Sequence, residues 1–212
     1  MLTYECIPVG MLQSNCYLLR DEGSGALALI DCGFFNRAVA DAIATQGGDL
    51  RYLLLTHGHF DHIQGAQALR GRYPNAQIAI GAEDAPYLRG EAESVAGWKS
   101  KHSVAMEPDL LLHEGETIQV GGGVLRVLET PGHTPGGLCF FAEKERLLFT
   151  GDTLFYEEVG RDDLPGGDWA TLRASLERLI ELPGDAVVLP GHGQVSSLAH
   201  ERAANPYVGL AE

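Results

Sequence analysis

Thr56-His57-Gly58-His59-Phe60-Asp61-His62 puts four metal-capable side chains within six residues, directly after the Tyr- and Leu-bearing run Arg51 to Leu55. Such a run, stopping at a threonine, reads as a buried strand. The carboxyl end of a strand, where it opens into a loop, is where α/β sheets gather ligands. A loop at that place can aim His57 and His59 at one point and Asp61 and His62 at a neighbouring one. Gly58 permits backbone angles that other residues resist. Each residue alone has an ordinary explanation: Asp61 could cap a helix starting near His62, and single histidines are often surface or hydrogen-bonded core groups. Burying three imidazoles and a carboxylate together is costly unless they are paired or metallated.

The same grammar recurs along the chain. Val124 to Glu129 runs into Thr130-Pro131-Gly132-His133-Thr134-Pro135-Gly136. Leu147 to Thr150 runs into Gly151-Asp152-Thr153, and Val187 to Leu189 into Pro190-Gly191-His192-Gly193. Each time an apolar strand ends in a Gly-bearing turn that carries one ligand-type residue. Gly-Asp and Pro-Gly-His are common turns taken singly; three recurrences beside the histidine cluster point to one converging site.

Working outward, Thr3–Val9, Asn15–Arg20 and Ala26–Asp31 read as strands between turn-rich pieces, and Asn36–Gln46 as a helix ended by Gly47-Gly48. After the histidine cluster, Ile63–Arg70 reads as a helix, Gln77–Ile80 as a strand and Glu83–Arg89 as helical, with Gly90–Pro108 an irregular polar loop over a site. Leu110–Leu112, Thr117–Val120, Val124–Glu129, Gly136–Phe141 and Arg146–Thr150 read as strands. Trp169–Leu182 is an amphipathic helix through Leu172, Leu176, Leu179 and Ile180. Ala186–Leu189 is expected as the last strand and Leu198–Ala204 as a short closing helix. Strands outnumber helices, and helices are spread through the order, which predicts an α/β (α+β) fold of two mixed β-sheets flanked by helices. No repeat or linker interrupts residues 1–212, so one domain is expected.

The formal charge of −14 repels phosphate backbones and argues against a nucleic-acid partner. No apolar run approaches the roughly 18 residues that span a bilayer, so no membrane association is expected. Met1 to Gly10 holds Glu5 and Pro8 and lacks a basic start before an apolar stretch, so no signal peptide is expected. Cys6, Cys16, Cys32 and Cys139 are scattered without a CxxC pair, which disfavours a zinc knuckle or redox dithiol and fits free thiols in a reducing cytoplasm.

The ordered set of Asp31, the HxHxDH cluster, His133, Asp152 and His192 resembles the metallo-β-lactamase superfamily. Within it the chain is similar to the hydroxyacylglutathione hydrolases, the glyoxalase II group, and most of all to their short bacterial form. Thr56–His62, Thr130–Gly137, Thr150–Thr153, Val159–Pro165 and Pro190–Gly193 carry the likeness. The resemblance implies the four-layer αβ/βα sandwich of that superfamily and a two-metal site. It implies that His57, His59 and His133 hold one metal, that Asp61, His62 and His192 hold the second, and that Asp152 bridges them. Asp31, in the Ile30-Asp31-Cys32-Gly33 turn, would orient a ligand. Asp61, Asp152 and Asp31 are thereby the carboxylates assigned to catalysis.

Imidazole and carboxylate ligands suit zinc first, with iron or manganese as alternatives, and no thiolate is in the set. Two such ions can hold a hydroxide between them, since coordination brings the pKa of a water down to about 7, and one ion can stabilise the oxyanion formed when hydroxide attacks a carbonyl. A small-molecule thioester, of which S-lactoylglutathione is the type the resemblance implies, suits this chemistry because a thiolate leaves without a strong general acid. Arg161 is the first candidate to meet a substrate carboxylate; Tyr156 is a candidate lining residue, and Lys99 and Lys101 are weaker candidates in the polar loop. Other activities of the same superfamily are an iron-dependent persulfide dioxygenase, which leaves some second-metal positions unfilled, and a lactonase or β-lactamase, which keeps the same ligands. Oxygen-reducing di-iron proteins place a Glu where this chain has His59.

Overall fold

The computed structural model describes residues 1–93 and 105–208. Strands β1 (Leu2–Val9) and β2 (Ser14–Asp21) form a hairpin, and β3 (Leu27–Ile30) extends it. All four side chains of β3 are buried, the signature of a strand covered on both faces. Helix α1 (Arg37–Thr45) carries the chain to β4 (Leu50–Leu54), which pairs parallel with β3. Asn36 caps α1 by accepting from Val39 N at 3.1 Å. Two short helices, α2 (Phe60–Ile63) and α3 (Ala66–Arg72), lead to β5 (Gln77–Gly81); a single 3₁₀ turn and α4 (Ala85–Arg89) follow, and β6 (Leu110–Leu112) completes the sheet in the order β1-β2-β3-β4-β5-β6.

The second sheet contains β7 (Thr117–Val120), β8 (Gly123–Glu129), β9 (Leu138–Ala142) and β10 (Leu147–Gly151). A small hairpin of β11 (Leu154–Phe155) and β12 (Glu158–Val159) pairs only with itself and packs Leu154 and Val159 against the second sheet. Helix α5 (Trp169–Ile180) then returns the chain to β13 (Val187–Pro190), β14 (Ser196–Ser197) and α6 (Leu198–Ala204). The sheet order is β14-β13-β10-β9-β8-β7, with β10 and β13 parallel and the remaining pairs antiparallel.

Three apolar clusters show how the layers stack. Tyr17, Leu19, Ile30 and Leu54 of the first sheet meet Val127, Phe140, Phe149 and Leu189 of the second. Tyr17 and Phe149 pack edge to face across that seam with centroids 5.3 Å apart, a geometry worth roughly 0.5–1.5 kcal/mol beyond area burial. On the outer face of the first sheet, Val39 and Ile43 of α1, Leu69 of α3 and Leu88 of α4 cover Leu29, Leu53 and Ile78. On the outer face of the second, Leu172, Leu176 and Leu179 of α5 and Leu198 of α6 cover Phe141, Leu148 and Val188. The result is two mixed sheets flanked by helices. Arg202 of α6 donates to the carbonyls of Ile180, Leu182 and Gly184, fastening α6 to the carboxyl end of α5. No helix among the described residues is long and apolar enough to cross a membrane.

Several boundaries differ from the sequence reading. The helix expected from Ile63 begins at Phe60, and its N-cap is His59, so Asp61 lies in the first turn instead of capping it. Ala186–Leu189 is not the last strand, because Ser196–Ser197 adds an edge to it. The β11–β12 hairpin was not anticipated. Much of the expected polar loop, including Lys99 and Lys101, lies outside the described residues.

Candidate metal centre

Parallel pairing decides where the site forms. β3 and β4 point the same way, β10 and β13 point the same way, and β8 shares the direction of β10 through two antiparallel steps. Asp31, His57, His133, Asp152 and His192 all follow the carboxyl ends of these strands, so both sheets deliver their ligand-type residues to one rim.

Three sets of donor atoms there lie within 4.8 Å of one another: His57, His59 and His133; His57, His62 and Asp152; and Asp61, His62 and His192. The rings of His57 and His62 approach to 4.1 Å between centroids, and those of His59 and His133 to 4.5 Å. Asp152 stands between the groups, with Oδ1 at 3.4 Å from His62 Nε2 and Oδ2 at 3.6 Å from both His133 Nε2 and His192 Nε2.

The far ring atoms are held by the protein. His62 Nδ1 donates to Asp31 Oδ2 at 2.8 Å, His133 Nδ1 to the Arg161 carbonyl at 2.7 Å, and His192 Nδ1 to the Leu12 carbonyl at 3.1 Å. Thr56 Oγ1 donates to Asp31 Oδ2 at 2.8 Å and accepts from His57 Nδ1 at 3.0 Å, while Thr56 N donates to Asp31 Oδ1 at 2.8 Å. The ring contacts among these hold Nδ1 outward and turn Nε2 inward. Asp31 holds a backbone φ of +58°, an uncommon conformation for a non-glycine residue and one that its three hydrogen bonds over-determine. Asp61 is oriented by Ser14, whose hydroxyl donates to Oδ2 at 3.0 Å.

Four of the polar atoms facing inward have no hydrogen-bond partner. Nε2 of His57, His59 and His133 and Oδ1 of Asp152 are buried without a hydrogen bond. Buried polar groups are rarely left so. His62 and His192 face each other through Nε2 at 3.2 Å, beside Asp61 Oδ2, an arrangement that needs positive charge, a proton or a metal ion, between the two rings and the carboxylate. The donor set therefore fits divalent metal ions, which take neutral imidazole and carboxylate ligands.

Charge states follow from the surroundings. Burial, then the neighbouring imidazoles, holds His57 well below its ordinary pKa and brings His59 down to about 3. Both rings are thus neutral donors at pH 7. For His62 burial opposes the charge, but Asp152, Asp31 and Asp61 together outweigh it and push the ring up to about 10. Burial also works against His192, whose pKa is nonetheless raised by its contact with Asp61 and by Asp152. Asp61 is held low against burial by His192 and His62.

Arg161 is exposed, and its guanidinium forms a two-pronged pair with Asp163 at 2.6 and 2.9 Å. It stands near enough to His59 to act on that ring's charge. The ring of Tyr156 stacks on His200 of α6, with centroids 4.8 Å apart. Its neighbour Phe155 is the aromatic beside His192, with centroids 6.3 Å apart. Beside Asp61 opens a mostly apolar pocket of about 270 Å³ walled by Met11, Leu12, Phe34 and Phe60.

Sequence reasoning missed Asp84, a buried carboxylate that joins the turn of His57 and His59 to the turn of His133. It also missed the carbonyls of Leu12 and Arg161. Asp84 had a weak signal, an acidic residue just after an apolar strand; the carbonyls had none.

Residues 9–192 match the family described as the metallo-beta-lactamase superfamily. The chain belongs to that superfamily. It is 32% identical over 209 residues to the hydroxyacylglutathione hydrolase GloC of Haemophilus influenzae, with 98% of each chain covered. Among solved structures it is similar to the BLEG-1 B3 metallo-beta-lactamase, with a TM-score of 0.89 and 29% identity over 97% of this chain and 99% of that one. It is also similar to TTHA1623 in a di-iron-bound form, with a TM-score of 0.84 and 34% identity over 96% of this chain and 100% of that one. The protein is accordingly a metallo-hydrolase of the metallo-beta-lactamase superfamily, and its His-rich cluster is the candidate site for the divalent metals that the superfamily binds.

Proposed function

We propose that the chain is a two-metal thioester hydrolase, with hydroxyacylglutathione thioesters such as S-lactoylglutathione as leading substrates and zinc as leading metal, acting in the cytoplasm. The observation that carries the reading is the pair of donor groups meeting at Asp152. His57, His59 and His133 would hold one ion, and Asp61, His62 and His192 the other, with Asp152 between them. Two divalent ions, when bound, lower the pKa of a coordinated water and polarise an acyl carbonyl. The similarity to the Haemophilus hydroxyacylglutathione hydrolase supports the substrate class.

The protein's own residues supply position and exclude other chemistries. Asp31 orients His62 directly and His57 through Thr56. The three buried cysteines offer no nucleophile: burial pushes the Cys16 and Cys139 thiols up to about 12 and raises Cys32 well above its ordinary value. A thiolate leaving group spares the site a general acid. No cation stands among the described residues that wall the pocket beside Asp61, and Arg161 is the cation near His59, so the anionic thiol portion is assigned to the Arg161 side. The Arg161–Asp163 pair is exposed, and such pairs are weak enough to open for a substrate carboxylate.

The test compares kcat/KM for S-lactoylglutathione, a persulfide, a lactone and a β-lactam at matched metal content. The thioester is expected to lead. Arg161→Ala is expected to raise KM by about tenfold, the low end for a charge-assisted contact because the site is exposed, with a smaller change in kcat. Oxygen-dependent persulfide turnover with iron bound, exceeding thioester hydrolysis, would overturn the reading.

A further inference from the structure

We propose that Asp84 is a positioning residue that assembles the three-imidazole group of His57, His59 and His133 and leaves the Asp61, His62 and His192 group to other supports. The inference rests on the two-metal reading above. Asp84 has no exposed surface and lies in the 3₁₀ turn Ala82–Asp84 that precedes α4. Its Oδ2 accepts from Gly58 N and from Thr134 Oγ1, each at 2.7 Å, and its Oδ1 accepts from Gly136 N at 2.6 Å. Gly58 separates His57 from His59. Thr134 follows His133, and Gly136 closes the same turn. One carboxylate therefore ties a loop of the first sheet to a loop of the second, at the point where their imidazoles must meet.

The chemistry explains why the residue is acidic. Three donors converge on two oxygens, which only an acceptor-only carboxylate satisfies; an amide would turn an NH₂ onto one of them. Burying a carboxylate is otherwise an expensive way to join two loops. Close approach is built in as well. A Cβ at Gly136 would collide with the Asp84 backbone nitrogen, and one at Gly58 with the ring of Tyr87 in α4. The other donor group is supported elsewhere: His62 by Asp31, Asp61 by Ser14, and His192 by the Leu12 carbonyl. Asp31 reaches both groups, His62 directly and His57 through Thr56, whereas among the described residues the Asp84 carboxylate bonds only to the turns of the first.

Stepwise zinc dissociation constants, measured on the folded protein by competition with a chromophoric chelator, test this. Asp84→Asn keeps the shape and should weaken one ion by about ten- to a hundredfold, the range seen when partners of ligands are lost, while the other stays within about twofold. His133→Ala and His192→Ala backgrounds identify which ion moves: Asp84→Asn should leave the remaining ion unchanged in the first and weaken it in the second. Thr134→Val removes one donor at constant shape and should weaken the same ion less; Thr134→Ser should restore it. If Asp84→Asn does not fold, the Thr134 pair decides. Equal weakening of both ions, no weakening, or a serine variant as weak as the valine one would overturn the inference. A wild-type protein that takes a single ion contradicts the two-metal reading; the inference then stands or falls on whether Asp84→Asn weakens that ion.

Discussion

For a histidine in this cluster, the nitrogen that faces away decides what the inward one can do. His62, His133 and His192 each spend Nδ1 on an oxygen of the protein, and His57 spends its own on Thr56. Among the described histidines outside the cluster, His200 turns Nε2 to Glu157 at 2.8 Å, and His113 holds Nδ1 3.7 Å from Glu129. Steady-state kinetics should therefore show Asp61→Ala and His133→Ala losing turnover by orders of magnitude, since a missing ligand moves the metal and changes its water. His113→Ala and His200→Ala should stay near wild type. Near-normal turnover by Asp61→Ala at full metal content would remove the second group from catalysis. The side chains of this site were legible because metal ligands are few residue types and stood in motifs. Asp84 was not, since one acidic residue before a helix looks like a cap. The stacking of Tyr156 on His200 was not legible either, because a two-residue strand leaves no period from which the direction of the next side chain could be read.

Among the elements, the turns after β4, β8, β10 and β13 carry the function, and glycine makes their approach possible. A Cβ on Gly191 would run into Asp152 Oδ1 and come within 2.8 Å of His62 Cε1, whereas one on Gly193, at φ +75°, would meet nothing. Gly191→Ala should therefore lower kcat/KM and metal content far more than it lowers melting temperature. Gly193→Ala should do the reverse, losing roughly 1–2 kcal/mol of stability to the left-handed backbone with activity retained. Equal behaviour of the two variants in thermal melts and metal analysis would refute this. The strands bearing these turns were readable because each is a largely apolar run that breaks off at a threonine, glycine or proline. Leu154–Phe155, Glu158–Val159 and Ser196–Ser197 are too short for any period, and the start of α2 at Phe60 is set by how the histidine loop folds back, not by local propensity.

At the scale of the molecule, the two sheets are held together at the end opposite the metal centre by Asp21. This buried carboxylate accepts from Ser24 N and Oγ, from Gly122 N in the β7–β8 turn and from the N-terminal ammonium. Those bonds, Gly122 first, lower its pKa. A depressed folded pKa contributes stability that is fully present above the unfolded value of about 3.9 and is lost as pH falls through the folded one. Denaturant midpoints of wild type and Asp21→Asn should thus differ most at neutral pH and converge in acid; a gap that persists unchanged well below pH 3 would contradict the assignment. The layered fold itself was legible, since continuous apolar runs alternating with helical patterns admit few arrangements. The central proposal is that the rim of this sandwich would hold two metal ions, with Asp152 between them. Elemental analysis of metal-loaded, gel-filtered protein tests it most directly: the account predicts about two ions per chain in wild type and about one in both His133→Ala and His192→Ala. A reproducible single ion in fully active wild-type protein would contradict it.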